Sequence, residues 1–172
     1  RIIEQMLLLA MVEQRQSLKN ISPINLNELI CSSLESKQAQ LIQKEIILDN
    51  QLCAAEQATI QAERFLLQQA ISNLLDNAID FCPKQGKIML SLTQINPQQW
   101  QISLHNSGAG IPDYELEHIF ERFYSLPRPD TQRKSTGLGL SFVREVATLH
   151  RGSIVLENTS TGVNAHLTLQ GE

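Results

Sequence analysis

Apolar residues recur along this chain with two different periods, and the switches between them outline its elements. Ile2, Met6, Leu9 and Val12 fall on one face of a helix expected over residues 1–17. Leu7, Leu8 and Met11 widen that face beyond what a water-exposed helix carries, so the helix either packs on its own domain or meets a partner outside this chain. Asn20-Ile21-Ser22-Pro23 breaks the pattern, and a linker is expected over 18–23. Residues 24–26 read as a short strand. Asn27 reads as the cap of a helix reaching about Lys44, with Leu29, Ile30, Ser33, Leu34 and Leu41 on one side. Glu45 to Leu52, rich in Ile and Leu, fits a strand.

From about Ala62, the residues Phe65, Leu66, Ala70, Ile71, Leu74, Leu75 and Ala78 advance in steps of three and four. The spacing predicts a long helix that stops at Cys82-Pro83, where proline cannot continue it. The period then drops to two: 86–93 and 99–105 alternate as strands joined at Asn96-Pro97. Pro112 opens a short helix expected over 113–122, and 125–136 is a polar stretch without period, which predicts a mobile loop. A helix follows Gly137 and Gly139 and ends near His150, with Gly152 as its stop, and 153–158 and 164–169 close the chain as a hairpin. This order predicts an α+β fold, a two-layer α/β sandwich with a mixed, mostly antiparallel sheet packed on helices.

Composition changes little. With 172 residues, 42% hydrophobic and 19% charged, the chain suits one soluble domain with a sizeable core. A net charge of -4 argues against a nucleic-acid surface. Cys31, Cys53 and Cys82 are odd in number and form no CxxC, which favours thiols in a reducing compartment over disulfides or zinc. The longest apolar run, Met6 to Val12, is too short to span a bilayer, and no signal peptide is visible. The chain begins at Arg1, so a fragment of a longer protein is expected.

Three stretches carry candidate chemistry. Gly137-Leu138-Gly139-Leu140, after Lys134-Ser135-Thr136, opens a helix; its glycines admit a ligand close to backbone, and the free N–H groups and dipole favour an anion such as phosphate. Asn106-Ser107-Gly108-Ala109-Gly110-Ile111-Pro112 is a glycine-bounded turn after a strand. Asn73 and Asn77 lie one helical turn apart on an otherwise apolar helix. Their amides either bond neighbouring backbone or act as neutral oxygen donors, of the kind Mg²⁺ accepts alongside water and phosphate. His105, His118, His150 and His166 show no metal-ligand spacing, and His150 reads as a helix-end residue favoured by the dipole.

In this order the motifs resemble the ATP-binding domain of sensor histidine kinases, the Bergerat or GHKL fold shared with gyrase, Hsp90 and MutL ATPases. Residues 73–77 are similar to the N box and 106–110 to the first glycine box. Phe120-Glu121-Arg122-Phe123-Tyr124 is similar to the F box, and 136–140 to the second glycine box; the likeness spans about 21–169. Within the family, Ile111-Pro112-Asp113-Tyr114 through Phe120 to Arg128 is similar to one particular sensor kinase. The resemblance implies ATP and Mg²⁺ as cofactors. Asn77 would ligate the metal with Asn73 in support, and Gly108, Gly110 and Ile111 would border the adenine pocket. Arg133 and Lys134 would sit on a lid over the triphosphate, whose charge needs cations, and Thr136, Gly137, Leu138, Gly139 and Leu140 would serve the phosphates. Phe123 and Tyr124 would be pocket wall or core.

There are departures. Asn106 stands where the family usually carries an Asp that accepts from the adenine amine. A neutral bond contributes about 0.5–1.5 kcal/mol against about 1.5–3 kcal/mol for a charged one. Adenine affinity roughly tenfold weaker than with Asp is therefore expected, with relaxed selectivity against guanine. Asp80 stands where many relatives carry a basic residue, and beside phosphates it would act through water or metal. No histidine has the acidic residue and proline that follow a phosphoacceptor. Residues 1–17 accordingly resemble the C-terminal part of the second dimerisation and phosphoacceptor helix, and 24–172 the ATP-binding catalytic domain. The resemblance implies a protein histidine kinase that delivers the γ-phosphoryl group to a histidine upstream of this chain, and thence to an aspartate of a response regulator. Its partners would be its own phosphoacceptor domain, a second copy in the full-length protein and that regulator. The domain would be cytoplasmic, with any membrane anchor upstream. The alternatives are a degenerate nucleotide-binding regulatory module and, less favoured, a gyrase- or MutL-like ATPase. Asn73 stands where the latter would need a glutamate to activate water.

Overall fold

The computed structural model of the protein describes residues 2–52, 58–126 and 137–171. Alternation of period two builds the main sheet. Along β5 (Gln99–Ser107) the side chains of Trp100, Ile102, Leu104 and Asn106 are buried in turn. On β7 (Gly162–Gln170) they face Leu169, Leu167, Ala165 and Val163. β4 (Lys87–Asn96) pairs antiparallel with the other edge of β5, and β6 (Ser153–Asn158) with the other edge of β7. β2 (Ile47–Asn50) adds to β4 in parallel, giving the order β2-β4-β5-β7-β6. The expected α+β sandwich is thus the observed one, mixed and mostly antiparallel. Outward positions are polar cross-strand pairs: Ser103 with His166 at 2.8 Å and His105 with Asn164 at 2.7 Å.

The inner face is covered by α4 (Arg64–Phe81) and α6 (Gly139–Leu149), which pack on each other. Leu67, Leu75 and Val143 are almost wholly buried there, and each buried aliphatic side chain contributes about 1.5–3 kcal/mol. A parallel strand pair needs a crossover, and α4 lies in the connection from β2 to β4. α2 (Leu26–Ser36) packs on α4, and α1 (Ile2–Glu13) buries Leu9 and Val12 where it meets α6.

Several boundaries differ from the sequence expectation. The first helix ends at Glu13, not at 17, because Arg15 and the Lys19 N–H are drawn to the Glu63 carboxylate. The cap of α2 is Asn25 rather than Asn27: its Oδ1 accepts from the Glu28 N–H at 3.1 Å. The helix expected to reach Lys44 is two, α2 and α3 (Gln38–Gln43), broken at Lys37, whose ammonium pairs with Asp76 at 2.8 Å. Glu45 takes φ +56° after α3, so the next strand begins only at Ile47. An unexpected strand, β3 (Thr59–Ala62), pairs with β1 (Ser22–Asn25) in a separate ribbon. The helix expected over 113–122 is the single turn α5 (Asp113–Leu116). Beyond it the chain is held from α6, where the Ser141 hydroxyl donates to the Phe120 carbonyl at 2.9 Å and Arg144 lies 5.9 Å from the Phe120 ring.

Candidate functional site

A cavity of about 450 Å³ opens between the helices and the ends of the strands, a size usual for small-molecule sites. Leu74, Asn77, Ala78 and Phe81, in steps of three and four along α4, present one stripe to it. Leu104, Asn106, Val163 and Ala165 form the sheet wall. Ala109 to Pro112, with Tyr114 and Glu115, close one side; Tyr124 to Leu126 with Gly137, Gly139 and Leu140 close another. The lining is mainly apolar, with the Asn77 and Asn106 amides among its few polar groups.

Asn106 reaches the cavity because it is the last inward position of β5, and it is only 8% exposed. Its Nδ2 donates to the Ser107 carbonyl at 3.1 Å. Gly162 crosses directly behind, where a Cβ would stand 1.9 Å from the Asn106 carbonyl oxygen. The following turn is bracketed by Asn158 at the end of β6. Its Oδ1 accepts from the Ile111 N–H and its Nδ2 donates to the Ile111 carbonyl, both at 2.7 Å. Gly110 passes against that side chain, leaving 2.8 Å between a notional Cβ and Asn158 Oδ1. Gly108, at φ +134°, instead packs under the Phe81 carbonyl and Pro83, away from the cavity wall.

The helix bearing Asn77 is held along its length. Asn73 is not on the wall; its Nδ2 donates to the Gly139 carbonyl at 3.3 Å, tying α4 to the start of α6. Asp76 pairs with Lys37. At the C-terminus the Lys44 ammonium donates to the carbonyls of Ile79 (2.8 Å), Asp80 (3.2 Å) and Cys82 (2.9 Å), a cation where the helix dipole favours one. Asp80 therefore takes part through its backbone, and it does not line the cavity. Leu138, expected beside the phosphates, is 2% exposed core and precedes α6 without a side-chain cap of its own.

Phe123 corrects the expectation of wall or core. Its backbone turns to φ +64° and its ring is 55% exposed. Its N–H donates to the Gly137 carbonyl at 2.9 Å. Gly137, at φ +74°, touches that backbone so closely that a Cβ would lie 2.4 Å from the Phe123 carbonyl carbon. Arg133, Lys134 and Thr136 lie outside the described residues. Tyr124, the F-box aromatic next to Phe123, does line the cavity, whereas Phe81, Glu115 and Asn158 were not expected. Phe81 could have been found one turn beyond Asn77, whereas nothing in the local pattern marks Asn158.

The charged groups nearby are paired. The Tyr124 hydroxyl donates to Glu115 at 2.9 Å, and burial, then that bond, pushes the phenol above its ordinary range. His118 is raised by its hydrogen bond to Glu121 and then by that carboxylate's charge. His150 is structural, but not through a charge on the dipole. Fully buried, it accepts from the Glu63 N–H at Nε2 (3.3 Å) and so donates from Nδ1 to the Val146 carbonyl (2.8 Å) as a neutral ring. Among the described residues no group of three or more His, Cys, Asp or Glu is arranged for a metal, and no helix is long and apolar enough to cross a membrane.

Comparison with known proteins places the chain among relatives of the same fold. Sensor protein CreC of Escherichia coli (strain K12) is 42% identical over 161 residues, 94% of this chain and 33% of that protein, so the chain spans about a third of its length. CreC is also the kinase that the run 111–128 is similar to. The nucleotide-free catalytic domain of histidine kinase ThkA superposes with TM-score 0.78 at 28% identity, covering 89% of this chain and 97% of that one. ThkA in complex with response regulator protein TrrA gives TM-score 0.79 at 25% identity, covering 99% of this chain and 46% of that one. Residues 62–171, more than half of the chain, match the family described as histidine kinase-, DNA gyrase B-, and HSP90-like ATPase, and the chain belongs to that family.

Proposed function

We propose that this chain is the ATP-binding catalytic domain of a two-component sensor histidine kinase. The observation that carries the reading is the convergence, on one largely apolar cavity, of Asn77, Asn106 and the start of α6 at Gly139 and Leu140. The apolar stretch between α4 and the sheet suits a purine, with the Asn106 amide at its inner end. The α6 terminus and Gly139 suit phosphates, which helix N-termini favour. ATP supplies the transferable phosphoryl group; the chain's residues bind, orient and shield it, since catalysis of this kind is mainly positioning and charge neutralisation. Mg²⁺ fits the donor set: a neutral Asn77 oxygen beside nucleotide phosphates is what a cation that keeps most of its shell for water and phosphate needs.

In this reading α1 is the C-terminal part of the dimerisation and phosphoacceptor helix, 18–23 the linker and 24–172 the catalytic domain. Support comes from the side of α1 turned away from α6, where Ile2, Ile3, Met6, Leu7 and Met11 are exposed. The acceptor histidine belongs to an upstream segment, and a response regulator, as in the ThkA–TrrA complex, receives the phosphoryl group. The domain is cytoplasmic in this reading, and any membrane anchor precedes it. The test is a calorimetric titration of the chain with Mg·ATP, with Asn77→Ala as control. Saturable binding that the substitution removes is the expected result; a folded wild-type chain that binds nothing overturns the reading.

A further inference from the structure

Glu63 breaks a local rule. It immediately precedes α4, where a carboxylate ordinarily turns back to bond the free N–H groups at the positive end of the dipole. Its side chain makes no such bond. Both oxygens turn instead to the segment after α1. Oε2 accepts from Arg15 Nη1 at 3.0 Å, and Oε1 accepts from Arg15 Nη2 and from the Lys19 N–H. The pair is buried, with side chains 9% and 5% exposed. The main chain of Glu63 is meanwhile fixed to the fold by His150 Nε2 and by the Leu67 N–H that its carbonyl accepts. The β1–β3 ribbon, with Ser22 opposite Ala62, brings the two partners together across the sequence.

A buried ion pair adds little net stability over an apolar pair of the same volume, because desolvation offsets the attraction. A two-pronged guanidinium–carboxylate contact is nonetheless satisfied in only one geometry. The apolar contacts of Leu9 and Val12 are non-directional and do not select a register so sharply. We propose that Arg15 and Glu63 form a register latch, which sets the angle and axial position of α1 on the ATP-binding fold and can open without dismantling the cavity. Arg122, one residue before Phe123, adds a second and more exposed tie to the same helix end through Glu13. On the reading of α1 as the end of the phosphoacceptor helix, on which this consequence rests, Arg15 and Glu63 are positioning residues for phosphoryl transfer that never touch nucleotide.

The test places spin labels on the exposed Cys31 and on Glu4→Cys, with Cys53→Ser, and compares the wild-type pair with Arg15→Met/Glu63→Leu. The apolar pair should keep the melting temperature and hold the Mg·ATP affinity within about twofold, while the inter-label distance shifts or spreads. Glu63→Gln, which strands the Arg15 charge, should spread it as well. A distance unchanged in position and width in the apolar variant overturns the latch. In a chain extended upstream through the acceptor histidine, the same variant should change the phosphorylation rate about tenfold at constant Mg·ATP affinity. A spread distance with an unchanged rate would leave the latch standing and overturn the positioning role assigned to α1.

Discussion

Phe123 and Gly137 clasp each other backbone to backbone: both take left-handed φ, +64° and +74°, and the Phe123 N–H donates to the Gly137 carbonyl at 2.9 Å. The F box and the second glycine box are joined there before any ligand is considered.

The two glycines of the second box consequently have different requirements. Gly137→Ala places a Cβ 2.4 Å from Phe123 backbone in a conformation that costs a non-glycine residue about 1–3 kcal/mol, so a lower melting temperature and at least roughly tenfold weaker Mg·ATP binding are expected. Among the described residues Gly139→Ala meets nothing closer than Asn73 at 3.8 Å, and it reduces the freedom of the unfolded chain at the first residue of α6, a gain of at most about 0.5–1 kcal/mol. Its stability should hold or rise while nucleotide affinity falls. Equal losses of stability in both variants would contradict this division, and thermal melting with calorimetry reads it.

Asn106→Asp should tighten Mg·ATP binding by roughly tenfold, a charged acceptor replacing a neutral one. The Asn106 Nδ2 donates one of its two N–H groups to the Ser107 carbonyl, and the other stays available beside Oδ1. Selectivity against guanine should accordingly be relaxed in the wild-type chain and sharpened in Asn106→Asp, as titration with ATP and GTP will show.

Lys44→Met removes three charge-assisted bonds to the end of α4. A loss of about 1–3 kcal/mol is expected, at about 2–4 °C of melting temperature per kcal/mol. Lys44→Arg should recover part of it. A melting curve unchanged in Lys44→Met would show that the cap is idle.

His118 should titrate above its ordinary value of 6.5, and Glu121→Gln should return it toward that value in an NMR titration. Because the folded pKa is the higher one, the ion pair contributes fully below the unfolded pKa and is lost as pH rises through the folded pKa. The pair is exposed, so the local signal rather than global stability is the sensitive observable.

What the sequence disclosed depended on the length of each repeat. The α4 stripe and the alternation of β4, β5 and β7 extend over many residues, and they led to the sandwich and to the helix that carries Asn77. β3 spans four residues with only Ile60 and Ala62 inward, too few to show a period. The break at Lys37 carries no proline or glycine, and the partner that holds Lys37 there, Asp76, is remote in the chain. The candidate site divides in the same way. Asn77, Asn106, Gly110, Ile111, Gly137, Gly139 and Leu140 stand on the cavity wall, each within a compact motif. Asn158 and Glu115 reach the site through tertiary approach alone, and the Phe123 tie to Gly137 and the Asp80 tie to Lys44 run through backbone atoms, which side-chain patterns do not report.

The parallel edge strand has a kinetic consequence. β4 and β5 can zip from a tight turn, whereas β2 meets β4 only after the intervening chain, α4 included, has been laid across the sheet. Contacts that close so much chain form late, so the hairpin should be present in the folding transition state and β2 nearly absent from it. Substitutions at Leu90 would then slow folding, while those at Leu48 would chiefly hasten unfolding. The nucleotide helix would be seated before the sheet acquires its last edge.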